Sequence, residues 1–320
     1  MAVGVGRRIR RGVVLVLVAV GGCDLDEVTL VDPTDVVVAE VILQVAQDPG
    51  DESRLTAFVH RTVGAGGTSE PVPGARIIVS KTSGASVELA ERDISYCVAT
   101  LPELADGSCY WTTPMVAAGF RPGDGIELYI ELPGGAVMRG ATTVPGAFAL
   151  HGVPPGGACT LPADTSFDLR WDVAAGAWAY VNEAAIRGLP DAMALRGIQV
   201  TEDPLHLLGV SISEADTSII FPGEFGVFNR FELERDLATA LQSGLPPLTE
   251  ADVSIAAADR NWVNWVRGGN FNPSGQVRLP SITGAGTGVF GAVVLRRLGI
   301  AVEVDPAHPW ASSPPCPSTP

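Results

Sequence analysis

The most distinctive group of residues with chemical potential lies in residues 259–271, where two tryptophans and two arginines alternate with asparagines. Indole faces offer apolar area, and arginine and amide groups offer directed hydrogen bonds. We therefore predict a ligand-binding surface for a glycan or a peptide here, made of Asp259, Arg260, Trp262, Trp265, Arg267 and Asn270. The helical spacing of the two tryptophans favours a structural alternative. In that case Asp259 caps a short helix, Trp262, Trp265 and Val266 pack inward, and the arginines reach to solvent.

Residue types used by hydrolases are present, but their spacing forms no known catalytic motif. The sequence contains neither G-x-S-x-G nor H-E-x-x-H, and His60, His151, His206 and His308 are predicted to stand alone. Asp168 and Asp172 could serve a glycosidase only if they converged, but both fall on the outer face of one predicted strand. We predict that the protein is not an enzyme.

Gly286, Gly288 and Gly291 match the spacing of a dinucleotide-binding fingerprint. That site requires a following helix, whereas residues 289–295 are predicted as a strand. The glycines are therefore predicted to allow a turn or close backbone packing, and no cofactor is predicted. No metal site is predicted either, because residues 48–52 lack the EF-hand pattern and the cysteines lack CxxC spacing.

Near the start of the chain, four arginines precede the uncharged run 12–22, which ends at Cys23. This pattern indicates an export signal, and the run is shorter than the ~20 apolar residues of a spanning helix. It resembles the lipobox of bacterial lipoproteins. The resemblance implies that residues 1–22 are removed as a signal peptide and that Cys23 is acylated and anchors the protein to a membrane. Residues 23–35 would form an acidic tether.

The remaining cysteines are even in number, which predicts disulfide bonds in an exported protein. Three pairings are available to four cysteines. Proximity favours Cys97 with Cys109, and Cys159 would then pair with Cys316 and hold the C-terminal tail.

The chain has 320 residues and a formal charge of −15; without residues 1–22, which hold four arginines and no acid, the charge becomes −19. Nucleic acid is therefore an unfavourable partner. A length of ~300 residues, rich in Gly, Pro and β-branched residues, is typical of two β-rich domains.

Local patterns place these domains at residues 36–152 and 153–306, with a boundary near Pro154 and Pro155. The clearest alternation, at residues 126–132, predicts a hairpin with residues 136–144. Residues 167–173 and 178–180 predict a second hairpin. Residues 230–243 have helical periodicity and predict one amphipathic helix, and residues 307–320 form a Pro/Ser-rich tail.

Residues 71–79, with Pro73, Gly74 and Ala75, resemble the opening of carboxypeptidase-regulatory or transthyretin-like immunoglobulin-type domains. This resemblance implies an immunoglobulin-like β-sandwich over residues 36–152, followed by a β-rich domain with one or two short helices. We thus expect a mainly β fold.

The mature chain also resembles the lipoprotein family "domain of unknown function 4249", on the lipobox, the strand pair ending at residues 141–145 and the glycine-rich residues 286–291. That resemblance implies a place at the bacterial cell envelope, on the periplasmic or surface face of the outer membrane. It also implies an accessory role beside a TonB-dependent β-barrel receptor. No catalytic residue follows from it.

Together these patterns predict a membrane-anchored, non-enzymatic lipoprotein that acts as a binding or accessory module. Two alternatives stay open. One is a secreted hydrolase of glycans or peptides with an unrecognised site in the second domain, and the other is a structural or adhesive surface protein.

Overall fold

The structure is a computed structural model, and it describes residues 35–62, 69–97, 106–211, 213–226, 235–267, 279–303, 307 and 309–317. Cys23, the predicted signal peptide and nearly all of the tether lie outside these residues. Asn270 and His308 lie outside them as well.

Strands dominate the described part of the chain, so the predicted mainly β fold is confirmed. The first eight strands are β1 (Val37–Ala46), β2 (Arg54–Arg61), β3 (Glu70–Pro71), β4 (Arg76–Lys81), β5 (Ser86–Arg92), β6 (Ser108–Trp111), β7 (Gly125–Glu131) and β8 (Val137–Thr143). The others are β9 (Ala158–Leu161), β10 (Phe167–Arg170), β11 (Ala179–Arg187), β12 (Leu205–Val210), β13 (Ser218–Phe221), β14 (Thr249–Ala258), β15 (Ile282–Gly284) and β16 (Gly286–Val302).

Short helices connect several of these strands. They are α1 (Pro114–Ala117), α2 (Leu189–Ala194), α3 (Arg235–Gln242) and α4 (Arg260–Arg267), with a 3₁₀ turn at Ile94–Tyr96. The helix predicted at residues 230–243 corresponds to α3. Its described part begins at Arg235 and buries Leu237 and Leu241, as the apolar periodicity indicates.

One mixed sheet runs in the order β12-β11-β14-β16-β1-β2-β6-β5-β4-β7-β8-β15. β3 and β9 add to it at the side, and β10 and β13 form a separate pair. β16 lies between β1, which is parallel to it, and β14, which is antiparallel. Strands from both predicted domains therefore pair within one sheet. The immunoglobulin-like description of residues 36–152 stays a prediction.

The main hydrophobic core is formed by the apolar side chains on one face of each long strand. In β1, Ala39, Val41 and Leu43 are buried, whereas the residues between them are half-exposed. The predicted hairpin of β7 and β8 has the same character, because Ile126, Leu128 and Ile130 face the core. Buried and exposed side chains alternate because successive residues of a strand point to opposite faces of the sheet. One face of this hairpin is therefore apolar and the other faces solvent.

The second predicted hairpin is wrong. β10 pairs with β13, while β11 pairs with β12 and β14 in the large sheet. Trp171 is buried, but Val173, expected on the same face, is 61% exposed. The turn at residues 174–176 thus connects the β10–β13 pair to the large sheet.

Two disulfide bonds join Cys97 to Cys109 and Cys159 to Cys316, which are the two predicted pairs. The second bond holds the tail beside β9, where the Cys316 N–H donates to the Thr160 carbonyl. Trp310 of the same tail packs against Gly299 of β16.

Candidate functional site

Asp259 fixes the position of α4, the helix that contains most of the predicted ligand-binding residues. It follows β14 directly, and its Oδ1 accepts a hydrogen bond of 2.8 Å from the Trp262 N–H. The Thr142 hydroxyl of β8 donates to its other carboxylate oxygen. The predicted cap is therefore confirmed, and it also ties the start of the helix to β8.

Asn261 adds to the attachment of α4. Its Nδ2 donates to the Ala141 carbonyl at 2.9 Å and to the Phe290 carbonyl at 3.0 Å. These contacts join α4 to β8 and β16, so the helix start is held by two strands that are distant in sequence.

Burial raises the pKa of Asp259 to about 6. Hydrogen bonds from Thr142 and from the Trp262 N–H act in the opposite direction, because they favour the ionised form. Desolvation prevails because the side chain is 2% exposed and no cation pairs with it within the described residues. Asp259 is thus a structural side chain whose carboxyl group is about half protonated at pH 6.

α4 packs on the outer face of the large sheet, opposite the main core. Val263 forms a small apolar cluster there with Ala179, Ala258 and Val293, and Trp262 packs against its edge. Val266, which the structural alternative placed on the buried face, is 49% exposed. That detail was wrong because Val263, on the adjoining part of the helix, faces the sheet.

The structure does not bring the described members of the predicted binding group into one pocket. The Arg260 guanidinium lies 4.8 Å from the centroid of the Trp178 ring, and the Trp265 Nε1 donates to Glu40 at 3.0 Å. Arg267 ends the helix. Trp262 borders a concave surface on the outer face of the sheet, together with residues that the sequence did not single out.

That concave surface, here called the sheet groove, crosses the outer face of β11, β14, β16, β1 and β2 beside α4 and has a volume of about 240 Å³. Its polar members are Gln44, Arg54, Glu183, Ser254 and Arg297. Its apolar members are Ile42, Val181, Ala256, Val293 and Leu295, with Trp262 at the helix end.

The pairing of strands explains how these residues meet. Glu183 lies opposite Ser254, and Ser254 lies opposite Arg297, so three adjacent strands contribute one row of polar side chains. Gln44 and Arg54 form the neighbouring pair on β1 and β2. Each residue is an outward position of an alternating strand, and no local motif marks it. Only the strand order could have revealed the group.

Asp48, in the segment that lacks the EF-hand pattern, is a buried structural carboxylate. Its carboxylate lies 3.0 Å from the Arg296 Nε, and both side chains are at most 5% exposed. It also accepts hydrogen bonds from the main-chain N–H groups of Gly156 and Arg297. The carboxylate is thus satisfied by protein donors. Across the described residues, no three His, Cys, Asp or Glu side chains come together as a metal site.

The expectation that the histidines stand alone was wrong for His151. Its Nε2 lies 2.8 Å from Asp172 Oδ1, and both side chains are more than half exposed. Asp168, the other carboxylate considered for a glycosidase, binds Arg170 instead. Within the described chain, the His151 ring hydrogen-bonds no serine or threonine, so this pair lacks a nucleophile.

The three glycines of the dinucleotide-like pattern allow close packing. A Cβ on Gly286 would lie 2.5 Å from the Val37 carbonyl, and one on Gly291 would lie 2.9 Å from the Trp262 Cβ. Gly288 has a φ of +139°, and a Cβ added there would overlap with the Ala39 carbonyl of β1. The segment is the start of β16, so no helix N-terminus is available for a pyrophosphate.

No protein-family model matches this chain, and no curated protein matches it either. Among the described helices, none has the length and apolar character needed to cross a membrane.

Proposed function

We propose that this protein is an exported, lipid-anchored lipoprotein that binds a ligand through the sheet groove and acts as a binding or accessory module at the bacterial cell envelope. The groove is the observation that carries the binding role. It combines an aromatic wall, an aliphatic floor and charged and polar side chains of both signs, which is the composition typical of a recognition site.

The two disulfide bonds support the exported location, because such bonds persist in oxidising compartments. They use all four cysteines that follow Cys23. Cys23 is the remaining thiol, and it stands where the lipobox resemblance places an acylated residue. Several acyl chains on one cysteine would hold the protein to a bilayer stably, whereas one chain would not.

A test of the anchor compares the wild-type chain with Cys23→Ser after metabolic labelling with radioactive palmitate. We expect label and membrane association in the wild type and the loss of both in the variant. A wild-type protein that carries no label, or a Cys23→Ser protein that remains labelled, would refute the lipid anchor.

The accessory role predicts a β-barrel receptor as partner. Cross-linking and affinity capture of the anchored protein from its native membrane should recover an outer-membrane β-barrel. Recovery of only the protein itself at good yield would refute a stable receptor complex, and it would leave the protein as an independent binding module.

A secreted hydrolase, the second candidate, would have to use the exposed pair of His151 and Asp172, which lacks a nucleophile among the described residues. That function predicts hydrolysis of glycan or peptide substrates that is lost in His151→Gln. We expect no difference between this variant and the wild type.

A further inference from the structure

We propose that the sheet groove binds a neutral oligosaccharide. This inference rests on the proposed function, since it assigns a ligand class to the same groove.

Several polar side chains in the groove have capacity for new hydrogen bonds. Within the part of the chain that the structure describes, Gln44, Arg54, Glu183 and Ser254 have no side-chain hydrogen bond or ion pair. Arg297 has one exposed contact, 3.4 Å from Asp51. Donors and acceptors therefore face the groove together, as the hydroxyl groups of a sugar require.

The shape of the groove suits a short chain of rings. It crosses five adjacent strands, which corresponds to roughly 19 Å at about 4.8 Å per strand spacing. The floor is aliphatic, and the half-buried Trp262 forms one wall. A sugar ring has an apolar face of C–H groups that stacks on an indole, while its hydroxyls reach the polar side chains.

A peptide is a poorer occupant because the groove lies on the face of the sheet and not at its edge. β14, β16 and β1 each pair with a strand on both sides. Their main-chain N–H and C=O groups are therefore used within the sheet. A bound peptide strand gains much of its affinity from main-chain hydrogen bonds, and this surface cannot supply them.

The charges of the groove and of the whole chain favour a neutral ligand. Glu183 on β11 and Arg54 on β2 lie at opposite ends of the groove, and the third charged residue, Arg297, faces Asp51. The groove thus has no large excess of either sign. The acidic chain as a whole, at −15, repels polyanionic glycans.

The test uses the full chain with Cys23→Ser, so that the protein can be purified without its predicted anchor. An array of neutral oligosaccharides, acidic oligosaccharides and short peptides is followed by calorimetric titration with the best neutral oligosaccharide. The informative variants are Arg54→Ala and Glu183→Gln, because both residues are exposed and leave the core intact. Arg76→Ala, an exposed strand arginine on β4, is the matched control.

We expect at least one neutral oligosaccharide to bind, with each groove variant weakening the affinity about fivefold for one lost hydrogen bond. The control should bind within twofold of the parent protein. The inference fails if the folded protein binds only acidic glycans or only peptides, if it binds none of the probes, or if both groove variants retain full affinity. Its failure is separate from failure of the anchor, because palmitate labelling of Cys23 does not depend on the sugar.

Discussion

The two faces of the sheet at β16 use neighbouring arginines in opposite ways. Arg296 points into the core, where it is 4% exposed and is held by Asp48 and by the Phe148 carbonyl. Arg297 points outward into the sheet groove and has one exposed contact. The comparison shows that the inner arginine is fully used in holding the fold together, whereas the outer arginine keeps most of its hydrogen-bonding groups available.

The inner arginine should have the largest effect on stability. Arg296→Met leaves Asp48 buried without its cation, and we expect a loss of about 3–5 kcal/mol in the free energy of unfolding. Arg297→Met, one residue away, should lose about 0–1 kcal/mol because its ion pair is exposed. Denaturant unfolding of both variants measures the difference. Equal losses would contradict the contrast between the faces.

A second test concerns the contact between α4 and the outer face. Gly291→Ala places a Cβ against Trp262, so the helix must shift or the strand must bend. We expect a destabilisation of about 1–3 kcal/mol together with a change in tryptophan fluorescence. Gly176→Ser is a useful comparison, since that glycine has open space around it but a φ of +76°. A stability loss in that control without a spectral change would separate backbone strain from displacement of α4.

Asp259, between β14 and α4, should make the stability of the fold depend on pH. Its pKa is about 6 in the folded chain and 3.8 as the ordinary value, so the folded state holds the proton more tightly. As the pH rises between these two pKa values, Asp259 loses its proton in the unfolded chain but keeps it in the folded chain. The free energy of unfolding therefore falls as pH rises from about 4 to 6, and it levels off above that range.

Asp259→Asn should remove this fall in stability, which amounts to about 2–3 kcal/mol between pH 4 and pH 7. Unfolding curves measured at several pH values between 4 and 7 provide the test. If wild type and variant kept parallel pH profiles, Asp259 would not be the group that titrates. Asp93→Asn is the control, because that carboxylate is on the surface and its hydrogen bonds with Ser95 lower its pKa.

The smallest effect is expected in the groove itself. Arg54→Ala and Glu183→Gln should each change the free energy of unfolding by less than about 0.5 kcal/mol, because neither side chain is buried. Thermal unfolding of the two variants beside Arg76→Ala checks this expectation. A large loss in either groove variant would show that its polar group is structural, and the availability inferred for the outer face would then be wrong.

Local sequence patterns were sufficient for several elements and for part of the candidate site. The alternation at residues 126–132 predicts which side chains face the core. Asp259, placed just before an aromatic helical segment, predicts a helix cap. The pairing of Cys97 with Cys109 follows from proximity along the chain. In each case the interacting groups lie within a few turns or strands of one another, so short-range periodicity contains the information.

The sequence by itself therefore determined the mainly β class, the amphipathic helix before Gly244, the cap of α4 and the tight packing of the glycines around Gly288. The order of the strands was decided by tertiary structure. Residues 167–170 pair with residues 218–221, and Asp48 meets Arg296 across 248 positions. The physical reason is that a strand's alternation specifies an apolar face but not the neighbour that covers it. That neighbour is selected by the burial of the whole core, and the sheet groove exists only once this selection is made.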